Sequence, residues 1–289
     1  MRLSSGKERE VLRTIETIEE LKNWVQGKKD AGLSIGLVPT MGFLHEGHIK
    51  LVETAKKEND AVLMSIFVNP AQFGPNEDFE RYPRNMERDK QLAETAGTDV
   101  IFAPSADEVY PRESAIAISA GRLADQLCGK SRPGHFDGVL KVVTKLFHLV
   151  QADRAYFGQK DAQQLAIIES LVEDFNFPLK IRRVETVREP DGLAKSSRNV
   201  YLSEQERSEA SHLKKALEIG KQAAMDGKNP IPLMEQHLNA NTSGEIDYIK
   251  LLSYPDLTEK VEGEAILALA VQFEKARLID NLLFNIKGN

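Results

Sequence analysis

The chain has 289 residues, which is enough for one large domain or two moderate ones, since domains usually hold roughly 100–200 residues. Hydrophobic residues make up 41% and charged residues 28%, as in soluble globular proteins, and a net charge of -6 argues against a general binder of nucleic acid. The single cysteine, Cys128, excludes an intrachain disulfide framework and a cysteine-based metal cluster.

Apolar runs in this sequence are short. None approaches the roughly 18 residues of a membrane-spanning helix, and the N-terminal segment lacks a hydrophobic signal core. We therefore expect a cytoplasmic protein with no membrane partner.

Over the first two-thirds of the chain, apolar runs alternate with amphipathic stretches. The runs predict buried strands at 34–38, 61–68, 100–103, 155–157 and 179–184. The stretches have apolar residues at helical spacing and predict helices at 18–29, 48–59, 84–96, 137–150 and 161–175, with Asp137 as a cap. This alternation predicts βαβ units and a parallel sheet, which binds ligands beyond the carboxyl ends of its strands.

The pattern changes near residue 186, where we place a boundary between a first domain, 1–185, and a second, 186–289. The segment 186–203 contains a Pro-Asp-Gly turn signal and predicts a hairpin. A long polar helix follows from Ser203 to about Met225, and then a linker, GKNPIP. Strands at 245–253, 265–273 and 276–284 complete a smaller α+β unit. The fold class is therefore α/β with a second, smaller α+β domain.

The densest polar segment is 39–48, PTMGFLHEGH, between a strand and a helix. Its histidines, His45 and His48, are three residues apart, so one helical turn points both imidazoles the same way. Gly47 leaves room where a ligand would approach the backbone, and the helix N-terminus offers unpaired N–H groups. These features suit a polyphosphate, with imidazole N–H groups directed at the charge that develops on phosphoryl transfer. The alternative is that both histidines are solvated or cap the helix.

Other common motifs are missing. The zinc motif HExxH needs histidines at i and i+4, whereas this segment reads His-Glu-Gly-His, so a zinc site is disfavoured. Neither GxxxxGK[ST] nor GxGxxG occurs, so any ATP must be held in another way.

Four further segments carry polar residues close to predicted strands and helices. Asn69 and Gln72 follow the strand at 61–68 and can hydrogen-bond hydroxyls and carboxylates without adding charge. Lys160 lies at the carboxyl end of another strand, within reach of phosphate, and Gln164 comes one turn later. The run SSRN, 196–199, suits a loop that closes over phosphates, and 130–137 is a basic loop. Each of them alone is more typical of an ordinary loop.

Five motifs stand in order between residues 36 and 202: PTMGFLHEGH, FVNPAQF with DFERYPR, RPGHFDGV, FGQKDAQQ and SSRN. Together they resemble the pantothenate synthetases (pantoate–β-alanine ligases), a family of H-x-G-H nucleotidylyltransferases. The resemblance implies a Rossmann-like parallel-sheet N-terminal domain that binds nucleotide and pantoate, and a smaller C-terminal lid domain. It also implies a cytoplasmic homodimer that uses ATP with Mg²⁺. Pantoate and ATP would give pantoyl adenylate and pyrophosphate, and β-alanine would then displace AMP to give pantothenate.

The resemblance also implies roles for residues that match the family motifs. His48, as proton donor at the phosphates, His45 and Lys160 would be catalytic. The ATP-binding residues would be Met41, Gly42, Phe43, Leu44, His45, Glu46, Gly47, His48, Gly158, Gln159, Lys160, Asp161, Val187, Lys195, Ser196, Ser197 and Arg198. Gln72 would contact pantoate and β-alanine, and Gln164 would contact pantoate. The other substrate-binding residues would be Asn69, Tyr82, Arg132 and His135. No protein cluster would hold a metal, and Mg²⁺ would come with ATP, near Asp161.

Two positions depart from the family pattern. Lys195 stands where the family usually has Met or Leu, so its ammonium either strengthens phosphate binding or points to solvent. Phe43 stands where a small residue is common and is expected to pack against the sheet.

Two other functions stay open. A related nucleotidylyltransferase with a phosphate acceptor would need more Arg or Lys beside Asn69, Gln72 and Gln164. A regulatory protein would bind nucleotide without catalysis. Pyrophosphate exchange into ATP that depends on pantoate distinguishes the ligase from both.

Overall fold

The computed structural model describes residues 12–75 and 77–286, so the first eleven residues of the predicted N-terminal domain lie outside it. A parallel sheet has the strand order β1-β4-β3-β2-β5-β6. Its strands are β1 (Arg13–Ile15), β2 (Ile35–Thr40), β3 (Ala61–Ile66), β4 (Val100–Phe102), β5 (Arg154–Gly158) and β6 (Lys180–Val184). Its helices are α1 (Ile18–Asp30), α2 (Glu46–Glu58), α3 (Met86–Ala96), α4 (Ala106–Val109), α5 (Leu127–Ser131), α6 (His135–Val150) and α7 (Ala162–Asp174).

The strand order reverses between β2 and β5. The chain runs outward from β2 through β3 to β4, and then continues on the other side of β2 with β5 and β6. The two strands pair directly, with Gly36 opposite Arg154 and Leu37 opposite Ala155. The loops that leave their carboxyl ends therefore diverge around a crevice, which is where open parallel sheets bind ligands.

Helices cover both faces of this sheet, which buries its strands. Leu51, Val52 and Ala55 of α2 pack on one face, and the apolar sides of α6 and α7 pack on the other. Helix α6 also approaches the turn Pro70–Gln72 closely, because a Cβ at Gly138 would lie 2.0 Å from the carbonyl oxygen of Ala71. This contact brings α6 against the loop that follows β3.

An antiparallel sheet lies in the last part of the chain, with the order β7-β8-β9. It consists of β7 (Glu245–Ser253), β8 (Gly263–Gln272) and β9 (Arg277–Ile286), preceded by α8 (Glu204–Glu209), α9 (His212–Met225) and α10 (Ile231–Asn241). Leu213, Leu217 and Met234 of the helices pack on it in a separate core. Leu252 and Ile266 belong instead to the core of the parallel sheet, so the two sheets share apolar contacts.

The predicted α/β architecture is confirmed, with strands and helices at the predicted places, although β2 continues through Pro39 to Thr40. The Pro-Asp-Gly turn is also confirmed, since Arg188 and Ala194 pair antiparallel on either side of it. Where the chain divides into domains stays a prediction.

Four local predictions were wrong. Residues 130–137 do not form one loop, because α5 extends to Ser131 and α6 begins at His135. The polar helix is interrupted near Ser211, whose hydroxyl donates to the Ser208 carbonyl at 2.9 Å, and it forms α8 and α9. The supposed linker contains the start of α10, because proline is compatible with a first helical turn. Asp137 does not cap α6, and its carboxylate accepts from the N–H of Ala120 at 2.9 Å.

No helix in the described ranges combines the length and the apolar character that crossing a membrane requires.

Candidate functional site

A cavity of about 230 Å³ lies between the loops that follow β2 and β5. Most of the predicted site residues line it: Met41, His45, Gly47, His48, Asn69, Gln72, Tyr82, Arg132, His135, Gly158, Lys160, Asp161, Gln164, Val187, Lys195, Ser196, Ser197 and Arg198. The wall does not include Gly42, Phe43, Leu44, Glu46 or Gln159. Residues far apart in the sequence thus meet where the topology predicts a ligand.

The loop after β2 is held by a residue that the sequence analysis missed. Asp89 of α3 is buried, and its two carboxylate oxygens accept from the N–H groups of Phe43 and Leu44, each at 2.7 Å. Gly42 has a φ of 82°, and a Cβ there would lie 3.0 Å from the Asp89 carboxylate. Only glycine takes this conformation at no steric cost, so the loop shape depends on Gly42 and Asp89 together.

Phe43 does not pack against the sheet as expected. The guanidinium of Arg88 lies 5.3 Å from its ring centroid and also donates to the Leu44 carbonyl at 2.8 Å. Leu44, by contrast, is fully buried in the core beside α2. These two residues shape the loop and lie outside the cavity wall.

The two histidines cap the N-terminus of helix α2. The Nδ1 atom of His48 accepts from the N–H of His45 at 3.2 Å, and the Nδ1 atom of His45 accepts from the N–H of Gly47 at 3.1 Å. The ring centroids are 4.0 Å apart, which confirms that both imidazoles point the same way. The alternative of capping histidines is therefore also correct, because each ring uses one nitrogen for the cap.

This arrangement defines the proton positions. An Nδ1 atom that accepts a hydrogen bond carries no proton, so each neutral ring is protonated at Nε2. Burial, together with Lys160, Lys195 and Arg88, lowers the pKa of His45 to about 4. Burial, with His45 and Lys160 nearby, also holds the pKa of His48 well below its usual range. At neutral pH the site therefore has two uncharged imidazoles whose Nε2–H groups remain for a ligand.

Gly47 has a different role from the predicted one. A Cβ at this position would lie 2.8 Å from the Cε1 atom of His45, so the space belongs to the His45 ring and is not left for a ligand. The N–H groups of His45 and Gly47 are likewise used by the imidazoles. At these two positions the backbone N–H groups are therefore not left for an anion.

Lys195 and Lys160 differ in how they are paired. The Lys195 ammonium lies 2.8 Å from Glu189 and 3.1 Å from Glu46, and these carboxylates raise its pKa. It thus does not point to solvent, and its part in phosphate binding stays a prediction. Lys160, in the short turn Gln159–Asp161, lies 3.6 Å from the Asp161 carboxylate, which is a looser ion pair.

The SSRN segment is held against the site by specific contacts. Arg198 donates to both carboxylate oxygens of Asp78 at 3.0 Å, and its guanidinium lies 5.7 Å from the ring of Tyr82. Ser197 donates to the Phe43 carbonyl at 3.3 Å, and Ser196 caps the following turn by accepting from the Arg198 N–H at 3.3 Å. The segment therefore contacts both the loop after β2 and the loop after β3.

Val187 lies in the short hairpin that precedes this segment. Its carbonyl accepts from the Lys195 N–H at 2.9 Å. Its N–H group and the second lone pair of this carbonyl remain for hydrogen bonds to a base.

Neutral amides line the other end of the cavity. The Gln72 amide donates to the sulfur of Met41 at 3.1 Å and accepts from Asn69 at 3.0 Å. Asn69 is 1% exposed and bonds further to the Gly138 carbonyl at 3.0 Å and to the Tyr110 hydroxyl at 2.8 Å. Asn69 thus holds Gln72 in place. The amide nitrogen and oxygen of Asn69 both already form hydrogen bonds within the protein.

Arg132 and His135 form a second support for Gln72. The Nδ1–H of His135 donates to the Gln72 carbonyl at 2.7 Å, so its Nε2 accepts from Arg132 at 3.0 Å. Arg132 also pairs with both oxygens of Glu77, at 2.7 and 2.5 Å. Burial and the nearby Arg132 lower the pKa of His135 to about 4, so this ring is neutral as well.

The two glutamines of FGQKDAQQ that follow Ala162 have separate roles. Gln163 is buried and donates to the carbonyls of Leu123 and Gln126 at 2.8 and 2.7 Å, which makes it structural. Gln164 lines the cavity, and it also borders a second cavity of about 600 Å³ that the antiparallel sheet helps to enclose. The two cavities share part of their walls, including Arg132, Lys160 and Arg198.

Within residues 12–75 and 77–286, no three His, Cys, Asp or Glu side chains are grouped so that they could hold a metal ion. Cys128 is buried against the hydroxyl of Tyr248, at 3.3 Å, and lies 3.4 Å from the guanidinium of Arg277.

Comparisons with known proteins agree on one family. The sequence profile described as Pantoate-beta-alanine ligase matches residues 13–283. Pantothenate synthetase from Lysinibacillus sphaericus is 56% identical over 281 residues, covering 96% of this chain and 99% of the relative, and that from Bacillus subtilis is 53% identical, covering 96% and 98%.

Solved structures give the same result. Pantothenate synthetase from Thermus thermophilus superposes with a TM-score of 0.86 at 45% identity, covering 94% of this chain and 99% of that one. The Francisella tularensis pantoate-beta-alanine ligase, complexed with beta-gamma ATP and β-alanine, has a TM-score of 0.80 at 38% identity, with coverages of 94% and 97%. The chain therefore belongs to the pantoate–β-alanine ligase family, whose members join pantoate and β-alanine at the expense of ATP.

Proposed function

We propose that the cavity between the loops after β2 and β5 binds ATP with its phosphates against His45, His48, Lys160 and Arg198. One observation carries this assignment. Two neutral imidazoles, each with an Nε2–H left for a ligand, line the same cavity as Lys160 and Arg198. Met41 and Gly158 form adjoining walls, the Val187 N–H is the proposed contact to adenine, and Ser196 and Ser197 face the phosphates. Gly42, Phe43, Leu44, Glu46, Gln159 and Gly47 act through the shape of the loops.

The opposite end of the cavity is proposed to bind pantoate, with Gln72 and Gln164 as its hydrogen-bonding groups. Uncharged amides suit a hydroxy-carboxylate, because they form hydrogen bonds with its hydroxyl and carboxylate oxygens without forming an ion pair. Tyr82 contributes a wall beside Arg198, while Asn69, Arg132 and His135 support Gln72 through the contacts described above. β-Alanine would approach next to Gln72.

This placement aligns the two reactants for adenylation. A pantoate carboxylate oxygen bonds to the α-phosphorus, the bond from that phosphorus to the α,β-bridging oxygen breaks, and pyrophosphate leaves. The β-alanine amine then attacks the acyl carbon, loses a proton and expels AMP. The protein supplies no covalent nucleophile, because the adenylate is itself the activated acyl group. Alignment of this kind is worth roughly 7–11 kcal/mol of barrier in favourable cases.

Mg²⁺ is proposed to accompany ATP. It prefers oxygen ligands and usually takes one or two carboxylates, with phosphate and water oxygens for the rest. The Asp161 carboxylate is about half exposed and borders the cavity beside Lys160, so it fits this requirement. When bound, the ion would neutralise charge on the phosphates.

We also propose that residues 1–185 form the nucleotide- and pantoate-binding domain and 186–289 a lid, since the parallel sheet ends before the antiparallel one begins. A cytoplasmic homodimer is proposed from the family resemblance. Ile116 is 84% exposed, so a substitution there can test for cover by a second copy without disturbing the core. Sedimentation of the wild type and of Ile116→Asp tests the dimer, and a monomeric wild type would contradict it.

Isotope exchange tests the assignment of the cavity. Exchange of labelled pyrophosphate into ATP should require pantoate and proceed without β-alanine. His48→Ala and Lys160→Ala should form pantoyl adenylate slowly in a single turnover, and near-normal rates in both variants would overturn these roles. Exchange driven by a phosphate ester would indicate a transferase, and nucleotide binding without exchange would indicate a regulatory protein.

A further inference from the structure

A side chain of the antiparallel sheet contacts the turn that carries Lys160. Asn281 of β9 is 7% exposed, and its amide donates to the carbonyls of Gln159 at 3.0 Å and Lys160 at 2.8 Å. A side-chain amide has two N–H donors, and both are used here. The two peptide groups that flank Lys160 are thereby attached to one strand of the other sheet.

The turn that carries Lys160 has no side-chain cap. Its N-cap is Gly158, which has no side chain, and Asp161, the N-cap of α7, forms no side-chain cap hydrogen bond. Carbonyl groups of such a turn rotate with the backbone, and their direction sets the direction of the neighbouring side chain. By binding two consecutive carbonyls, Asn281 restricts the orientation of Lys160.

The preceding residue of β9 holds a second wall of the site. Asp280 is 3% exposed and accepts from Arg188 at 2.6 and 2.9 Å, while Arg188 also donates to the Gly192 carbonyl at 3.0 Å. Arg188 belongs to the hairpin that contains Val187. Asp280 and Asn281 are themselves fixed opposite Leu269 and Ala268 of the central strand β8. Strand β9 therefore sets the position of both the turn that carries Lys160 and the hairpin that contains Val187.

We propose that Asn281 is a positioning residue for adenylation, which acts by orienting Lys160 toward the phosphates of ATP. This inference rests on the role of Lys160 given under the proposed function. It assigns to the antiparallel sheet a direct part in the geometry of the phosphate site.

Asn281→Ala tests the proposal, with Asn285→Ala as a matched control, because Asn285 is an exposed asparagine of the same strand. Asn281→Ala should slow single-turnover formation of pantoyl adenylate by on the order of 10-fold to 100-fold, as misplaced groups do. Attack of β-alanine on supplied pantoyl adenylate should stay within about threefold of the wild type, because pyrophosphate has then left. Equal losses in both half-reactions, or no loss in either, would overturn the proposal.

A double-mutant cycle distinguishes this inference from the role of Lys160. If Asn281 acts through Lys160, then Lys160→Ala with Asn281→Ala should be no slower in adenylation than Lys160→Ala alone. Additive losses would contradict the inference and leave the role of Lys160 intact, whereas a normal rate for Lys160→Ala would contradict the proposed function. Asn281→Ser, which keeps one shorter donor, is the second variant should the alanine variant not fold, and the same split between half-reactions is expected.

Discussion

His48 accepts the backbone N–H of His45 through Nδ1 at 3.2 Å, so one imidazole both caps helix α2 and presents its other nitrogen to the cavity. The two functions can be separated by substitution. An asparagine oxygen can replace Nδ1 as the cap acceptor but leaves no donor at the position of Nε2. A glutamine amide reaches closer to the position of Nε2.

His48→Asn should therefore keep the melting temperature close to that of the wild type and lower the rate of pantoyl adenylate formation by on the order of 10²–10³-fold, as loss of one transition-state donor does. His48→Gln should retain more of this rate. Single-turnover measurement at saturating ATP with a thermal melt checks both. A normal adenylation rate in His48→Asn would show that Nε2–H has no part in the first step.

Asp89 is expected to be essential for the loop after β2. Asp89→Asn replaces one of two acceptors with an NH₂ group, so one of the N–H groups of Phe43 and Leu44 loses its partner. A buried donor left unpaired costs about 1–3 kcal/mol, so the free energy of unfolding should fall by that amount and KM for ATP should rise. Urea unfolding and initial rates measure the two effects. Glu87→Gln, at an exposed site on the same helix, should change neither value; equal stability of the two variants would contradict the prediction.

Much of the site could be predicted because parallel strands bring their carboxyl ends to one edge. Lys160 and the histidines follow two strands that the apolar runs had identified, so their proximity follows from topology. Asp89 could not be identified in this way, because an aspartate on a polar helix face is typical of a solvated surface. Its partners are backbone N–H groups, which leave no mark in the sequence.

Ion pairs between side chains that are far apart in the sequence also could not be predicted from it. Lys195 was expected to bind phosphate or to face solvent, and the two carboxylates that hold it became evident only in three dimensions. The same is true of Asp78 with Arg198, which are 120 residues apart. Helix α10 was missed for a local reason, since Pro230 and Pro232 indicate a linker and a first helical turn equally well.

Acid should destabilise the protein through His135. Its pKa is about 4 in the folded protein against about 6.5 when unfolded, so the unfolded chain binds more protons between these values. The contribution to stability is fully present above pH 6.5 and is lost as the pH falls from 6.5 to 4, by on the order of 3 kcal/mol. His135→Gln does not titrate and should flatten the dependence of the unfolding free energy on pH across this window. Urea unfolding at several pH values measures the slope, with His148→Gln, an exposed histidine of the same helix, as the control. An unchanged slope in His135→Gln would show that this ring is not the group responsible.

Lys195→Met should have little effect on nucleotide binding. The ammonium is already paired with Glu189 at 2.8 Å and Glu46 at 3.1 Å, and such a pair near the surface is worth about 0–1 kcal/mol, so KM for ATP should stay within about fivefold of the wild type. Removing this cation should raise the pKa of His45 slightly, although burial and Lys160, which lower it more, remain. Initial rates against ATP concentration check the first expectation, with Lys50→Met on the exposed side of α2 as a control for the loss of one positive charge. A rise in KM of more than about tenfold in Lys195→Met alone would mean that the ammonium leaves both carboxylates when ATP binds and pairs with its phosphates instead.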